Sequence, residues 1–225
     1  GYVYQDFENQ LVRPTVLDDA AYACLNYAMA DYTDRGLQAL SICGLEDKKD
    51  SYIWQLSGGQ THLLALAGAV ALRPNIIVLD EPVAQLDPHH ASQVYEVLKD
   101  LNEKHGKTII VIEHHTEYIA RYCKNVVLMK NGVIEWRLPA REALRRVEEL
   151  ESCNIFPPQV TIAAHKMRKA GILAQNVPLP TTIEEGRQTF DGFVYRNNTG
   201  QTFISQQQEI AAEFKNISMS YRAIK

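Results

Sequence analysis

Two short stretches of this 225-residue sequence carry residue types that act on phosphate and metal. Leu56-Ser57-Gly58-Gly59-Gln60 is a polar turn with two glycines, and it runs into a helix-forming apolar stretch, residues 63–72. A helix N-terminus presents unpaired N–H groups and a partial positive charge, so it suits an anion. The glycines let a phosphate approach the backbone closely. Downstream, Ile76-Ile77-Val78-Leu79 has the composition of a buried strand and stops at Asp80-Glu81-Pro82. Carboxylates at the end of a parallel strand sit where open α/β sheets bind ligands. A phosphate-facing turn combined with an acidic strand end for Mg2+ and water is the chemistry of nucleotide hydrolysis.

Several elements must position these groups. Gly1-Tyr2-Val3-Tyr4-Gln5-Asp6 reads as the end of a strand leading into a polar loop. Thr15-Val16-Leu17-Asp18 resembles a capping box and predicts a helix to about Ala30. A second helix is expected over 34–43, stopped by Gly44, with a polar connection over 45–55. Pro88 opens a helix reaching about Lys104. Thr108–Ile112 is a β-branched strand closed by Glu113-His114-His115. A short helix near 117–123 follows, then a hairpin of 126–129 and 133–136 about Asn131-Gly132, then a charged helix from Pro139 to about Glu151. Pro157, Pro158, Pro178 and Pro180 mark a small helical appendage with linkers. Residues 193–195 and 202–204 read as a hairpin, 206–208 as a linker and 209–221 as an edge strand.

Composition narrows the function. A net charge of −4 supplies no basic field for nucleic acid. No apolar run is long enough to span a bilayer. Cys24, Cys43, Cys123 and Cys153 are widely spaced, which fits reduced thiols rather than a disulfide frame or a zinc site.

In order and spacing, Leu56–Gln60 and Ile76–Pro82 resemble the signature motif and Walker B strand of ABC-type ATPases. The resemblance covers residues 1 to about 150. It implies an α/β fold, a partial P-loop NTPase core with a helical subdomain, followed by a small α+β C-terminal appendage. ATP and Mg2+ are the implied cofactors. Gln5 matches the Q-loop glutamine that reaches Mg2+ and the attacking water. Asp80 matches the aspartate that holds Mg2+, and Glu81 the catalytic glutamate that polarises water. Asp87 matches the D-loop aspartate at the dimer interface. His114 matches the catalytic switch histidine on the γ-phosphate. Ser57, Gly58, Gly59 and Gln60 would bind the ATP of a partner cassette, and Tyr221 matches the aromatic that stacks on adenine. By residue type alone, Gln5 is equally a solvated loop residue, Glu81 a capping acid, Asp87 an N-cap and Tyr221 a half-buried strand tyrosine. His114 and His115 are adjacent on an extended segment and are expected to point opposite ways, which disfavours a metal pair. His89 and His90 receive no role. Thr61-His62-Leu63 is less basic than the family's usual continuation.

No G-x-x-x-x-G-K-[ST] phosphate loop occurs in the sequence. Residues 209–225 resemble the first strand of another cassette. The expectation is therefore a central piece of a tandem protein: 1–150 from one cassette, 151–205 an extension and linker, 206–225 the start of the next. Such a piece is expected to be inactive by itself and to self-associate through unpaired sheet edges. Glu8-Asn9-Gln10-Leu11 and Pro157-Pro158-Gln159-Val160 resemble the energy-coupling-factor importers of metal ions and vitamins. That branch implies a membrane coupling subunit as partner and a place on the inner face of the cell membrane. A soluble ABC ATPase of translation or DNA repair, and a non-catalytic interaction module, are the rival readings.

Overall fold

The computed structural model describes residues 1–84 and 86–193. Tyr221, the expected hairpin across 197–200 and the edge strand at 209–221 lie outside the described residues. The chain divides into a compact unit, Gly1–Phe190, and a second unit, Asp191–Lys225. Among the described residues, every helix and strand belongs to the first unit.

The centre of that unit is a parallel sheet of three strands in the order β1 (Tyr2–Val3), β2 (Ile76–Asp80) and β3 (Thr108–Ile112). Tyr2 pairs with Val78, and β2 and β3 pair from Ile76↔Thr108 through to Asp80↔Ile112. Parallel neighbours need long crossovers. Between β1 and β2 run α1 (Val16–Asn26), α2 (Tyr32–Ile42) and α3 (Gly58–Ala71); α4 (Pro88–Glu103) joins β2 to β3.

The caps expected from sequence form. Thr15 Oγ1 accepts from the Asp18 N–H at 3.4 Å and donates to its carboxylate at 2.6 Å. The helix α1 stops at Asn26, short of Ala30, because Ala28 adopts φ +53. Gly36 lets α2 lie close on α1, where a Cβ would come within 2.9 Å of that of Ala21. Buried Asp19 accepts the Val12 and Arg13 N–H groups at 2.7 and 2.9 Å, which fastens the loop after β1 to α1. Burial raises the Asp19 carboxyl, with those two N–H groups pulling the other way.

The apolar stretch in α3 is a buried helix. Leu63, Leu64, Ala65, Leu66 and Ala67 are consecutively buried, so no side of it faces water. Ile77 and Leu79 meet this core from one face of the sheet. The opposite face behaves differently: Ile76, Ile110 and Ile112 are each about half exposed at 51, 49 and 52%.

After β3 come α5 (Thr116–Tyr122) and an antiparallel hairpin, β4 (Asn125–Lys130) and β5 (Val133–Pro139). Asn131 at φ +51 and Gly132 at φ +78 form the tight left-handed turn that Asn-Gly favours. The single charged helix expected next is two: α6 (Ala140–Leu144) and α7 (Val147–Ser152). Arg146 is non-helical at ψ 61, and Arg145 Nε is drawn to the Leu179 carbonyl at 2.7 Å. The appendage contributes α8 (Gln159–Lys169) and α9 (Ile183–Thr189), packed on Val147 through Ala164, Leu173 and Leu179. All four cysteines are free, and burial pushes the Cys43 thiol up to about 12. Among the described residues no helix is long and apolar enough to cross a membrane.

Leu64 is fully buried in α3. Leu64→Ala is expected to destabilise the chain by about 2–5 kcal/mol. The check is the urea midpoint, and a loss below about 1 kcal/mol would contradict this placement of the core.

Candidate functional site

The parallel register brings three strand ends together. Beyond Asp80 the chain continues its pairing for one residue, the Glu81 N–H donating to the Ile112 carbonyl at 3.0 Å. Glu81 itself adopts φ +44, a left-handed conformation that a non-glycine residue holds only when its surroundings impose it. Its carboxylate accepts Gln5 Nε2 at 2.8 Å on one oxygen and faces His114 Nδ1 at 3.5 Å on the other. Asp80 accepts the Tyr2 hydroxyl at 3.2 Å. Gln5, Asp80, Glu81 and His114 therefore gather at one end of the sheet. Their free atoms are mainly carboxylate and amide oxygens, the donor set that suits a hard cation such as Mg2+ and a water beside it.

Behind His114 lies a group that sequence reasoning left without a role. The Glu113 side chain is only 2% exposed. One oxygen accepts the His114 and His115 N–H groups, both at 2.9 Å, and the other accepts the Tyr95 hydroxyl at 2.8 Å. Tyr95 stacks on Tyr118 and Tyr122 of α5, with centroids 4.8 and 5.0 Å away. Burial foremost, and then the Glu113 carboxylate, raise the Tyr95 phenol, so it stays a donor. Glu113 thus fixes the backbone on which His114 is carried. Its only sequence signal was an acid at the end of an apolar strand, which is shared by many exposed residues.

His114 and His115 do not point opposite ways, contrary to expectation. Their ring centroids are 4.2 Å apart. The strand ends at Ile112 and His115 is already the N-cap of α5, so strand alternation no longer applies.

The glycine turn forms the start of α3. Ser57 and Gln60 bond to each other reciprocally, with Ser57 N to Gln60 Oε1 at 2.9 Å and Gln60 N to Ser57 Oγ at 3.4 Å. They make no bond to the strand-end carboxylates. A Cβ on Gly58 would meet open space, leaving that backbone accessible to an anion. Gly59 has another reason to be glycine: a Cβ there would clash with His90, 2.8 Å from its Cγ and 2.9 Å from its Cβ. His90 is held by Asp87, whose carboxylate also caps α4 through the His89 and His90 N–H groups at 2.9 and 3.2 Å. His90 lowers the Asp87 carboxyl below its usual range. Asp87 is therefore an N-cap, and His90, given no role from sequence, joins that cap to the glycine turn.

His62 makes a second join. Its Nδ1 lies 2.9 Å from the Gly58 carbonyl, and its ring packs on Phe7, two residues after Gln5, at a centroid distance of 3.5 Å. Burial lowers its pKa, opposed by the Gly58 and Ala84 carbonyls and by Glu8.

Residues 1–84 match the ABC transporter family. The chain is 35% identical over 194 residues to an energy-coupling factor transporter ATP-binding protein, EcfA2, of Caldanaerobacter subterraneus subsp. tengcongensis, covering 84% of this chain and 66% of that protein. This chain belongs to the ABC transporter family. A putative ABC transporter ATP-binding protein of Bacillus anthracis is 29% identical over 98% of this chain but only 39% of its own length. Among solved structures, cbiO1 of Clostridium perfringens, part of the ABC transporter complex cbiONQ, superposes with a TM-score of 0.62 at 30% identity. That match covers 75% of this chain and 66% of cbiO1. The chain spans just under two thirds of the length of the energy-coupling factor relatives. Fold and family therefore agree with the resemblance carried by the ABC motifs.

The neutral His62 has a consequence for stability. The unfolded chain takes up a proton near pH 6.5, before the folded chain does. Stability from this group is therefore complete above about pH 6.5 and is lost as pH falls through the lowered folded value. From about pH 7 to about pH 5, the melting temperature of the wild type should fall more steeply than that of His62→Gln. Equal slopes would contradict a buried neutral His62.

Proposed function

We propose that the protein containing this chain hydrolyses ATP and uses it to drive import of a small solute, a metal ion or vitamin, across a membrane. The observation that carries this is the Gln5–Glu81–His114 linkage beside Asp80 at the strand ends. The names of the relatives, ATP-binding proteins of energy-coupling factor transporters, support the transport setting.

When bound, Mg2+-ATP supplies the phosphoryl group and the charge that these residues act upon. Asp80 and the Gln5 amide oxygen would be the oxygen donors for Mg2+. The Glu81 carboxylate accepts a proton from water, and the Gln5 N–H and His114 ring hold it in place on either side. Ser57 and the open Gly58 backbone face the anion of a second cassette. A dimeric ATP-binding cassette with ADP and Pi, 30% identical at a TM-score of 0.53, supports such a pairing. A tandem arrangement with Tyr221 in a following cassette belongs to the same reading; the Bacillus anthracis protein, of which the chain aligns to 39%, is long enough to hold one. The partners are then the second cassette and a membrane coupling subunit, with the protein peripheral on the inner face of the membrane.

In the full-length protein, Glu81→Gln is expected to lower kcat at least about 100-fold with ATP binding retained. Unchanged turnover would reject Glu81 as the base. For the isolated chain, the half-exposed Ile76, Ile110 and Ile112 face supports self-association. Light scattering should show Ile110→Lys combined with Ile112→Lys shifting the chain toward monomer, and no shift would contradict the role of this face.

A further inference from the structure

The turn that closes β3 gathers more ligand chemistry than ATP hydrolysis uses. Glu113, His114 and His115 each offer a ligand atom, all within 4.8 Å of one another. A fourth group, the Glu81 carboxylate, stands 3.5 Å from His114 Nδ1. Two imidazoles and two carboxylates suit a borderline divalent ion, whereas Mg2+ prefers oxygen alone. We propose that Glu113, His114 and His115, with Glu81 alongside, form a site for a divalent transition-metal ion of the Zn2+, Co2+ or Ni2+ class.

Three features make this more than a surface histidine pair. The Glu113 carboxylate is fixed in place by three donors, and these leave about one of its four lone-pair positions free. The His115 ring is exposed and, among the described residues, makes no hydrogen bond, so its nitrogens are available. Ligand atoms around a tetrahedral ion stand about 3.3–3.6 Å apart, given metal bonds of about 2.0–2.2 Å. The ligand atoms of Glu113, His114 and His115, all within 4.8 Å of one another, approach that spacing. The two carboxylates also give the cluster a negative field that attracts a cation.

An ion held here occupies His114 and Glu81 together. If those two residues serve ATP hydrolysis, the ion would stop it; the binding itself does not depend on that role. Co2+ is titrated into the 225-residue chain without nucleotide and followed by its visible d–d absorption, with Zn2+ measured by competition against a chromophoric chelator. One ion per chain is expected. His115→Ala and the hydrogen-bonding His115→Gln should each weaken it about tenfold or more, with circular dichroism unchanged. His105→Ala, an exposed histidine elsewhere, should leave it untouched. Wild-type affinity in both His115 variants, or loss of the ion in His89→Ala, would overturn the site. In the full-length protein, Zn2+ at saturating occupancy should inhibit the wild type and spare His115→Ala. An ion that fills the site without slowing turnover counts against the ATPase reading, so the two ideas fail separately.

Discussion

Parallel pairing of β2 with β3, in the register that sets Asp80 opposite Ile112, is the constraint on which the site depends. A shift of one residue would send Ile77 and Leu79 to the exposed face and carry Glu81 away from His114. The buried α3 and the apolar side of α4 hold that register, because only one face of each strand can meet them. Glu81 is then left in a left-handed conformation, pinned by the Ile112 carbonyl and by Gln5. Strain at a reacting group is tolerated where surrounding contacts over-determine it.

Polar fastenings extend this order to segments that the sheet does not reach. Glu113 ties the His114 turn to α4 through Tyr95. Asp87 and His90 tie the start of α4 to Gly59. His62 ties the glycine turn to Phe7, next to the Gln5 loop. A change in position of Gln5, the glycine turn or the Asp87 cap is therefore felt by the other two through packed rings and short hydrogen bonds. Discrete contacts of this kind are a physical route by which ligand binding biases a conformational equilibrium.

Much of this was legible in the residues. The β-branched run at 108–112, the Thr15 and Asp87 caps and the Asn131-Gly132 turn each rest on local preferences that tertiary structure did not override. Helix ends were less legible. Nothing in its residue type announces the positive φ of Ala28, and the break at Arg145-Arg146 depends on the carbonyl of Leu179, distant in sequence. Asp80 and Glu81 were legible because the two adjacent acids close the Ile76–Pro82 motif. Glu113, Tyr95, His62 and His90 were not, since their roles come from pairings across elements. Gly59 illustrates the difference. Its presence in a phosphate-type turn was plain, but the packing demand of His90 became visible only once α3 and α4 were side by side.

Central to the proposed activity is that Gln5, Asp80, Glu81 and His114 share one metal–nucleotide site. Paramagnetic broadening by Mn2+-ATP in the full-length protein, read at the Gln5 side-chain amide and the His114 ring, tests this most directly. Both signals should broaden together, and Asp80→Asn should abolish the effect at both. Sharp signals at saturating Mn2+-ATP, or broadening that survives Asp80→Asn, would contradict it.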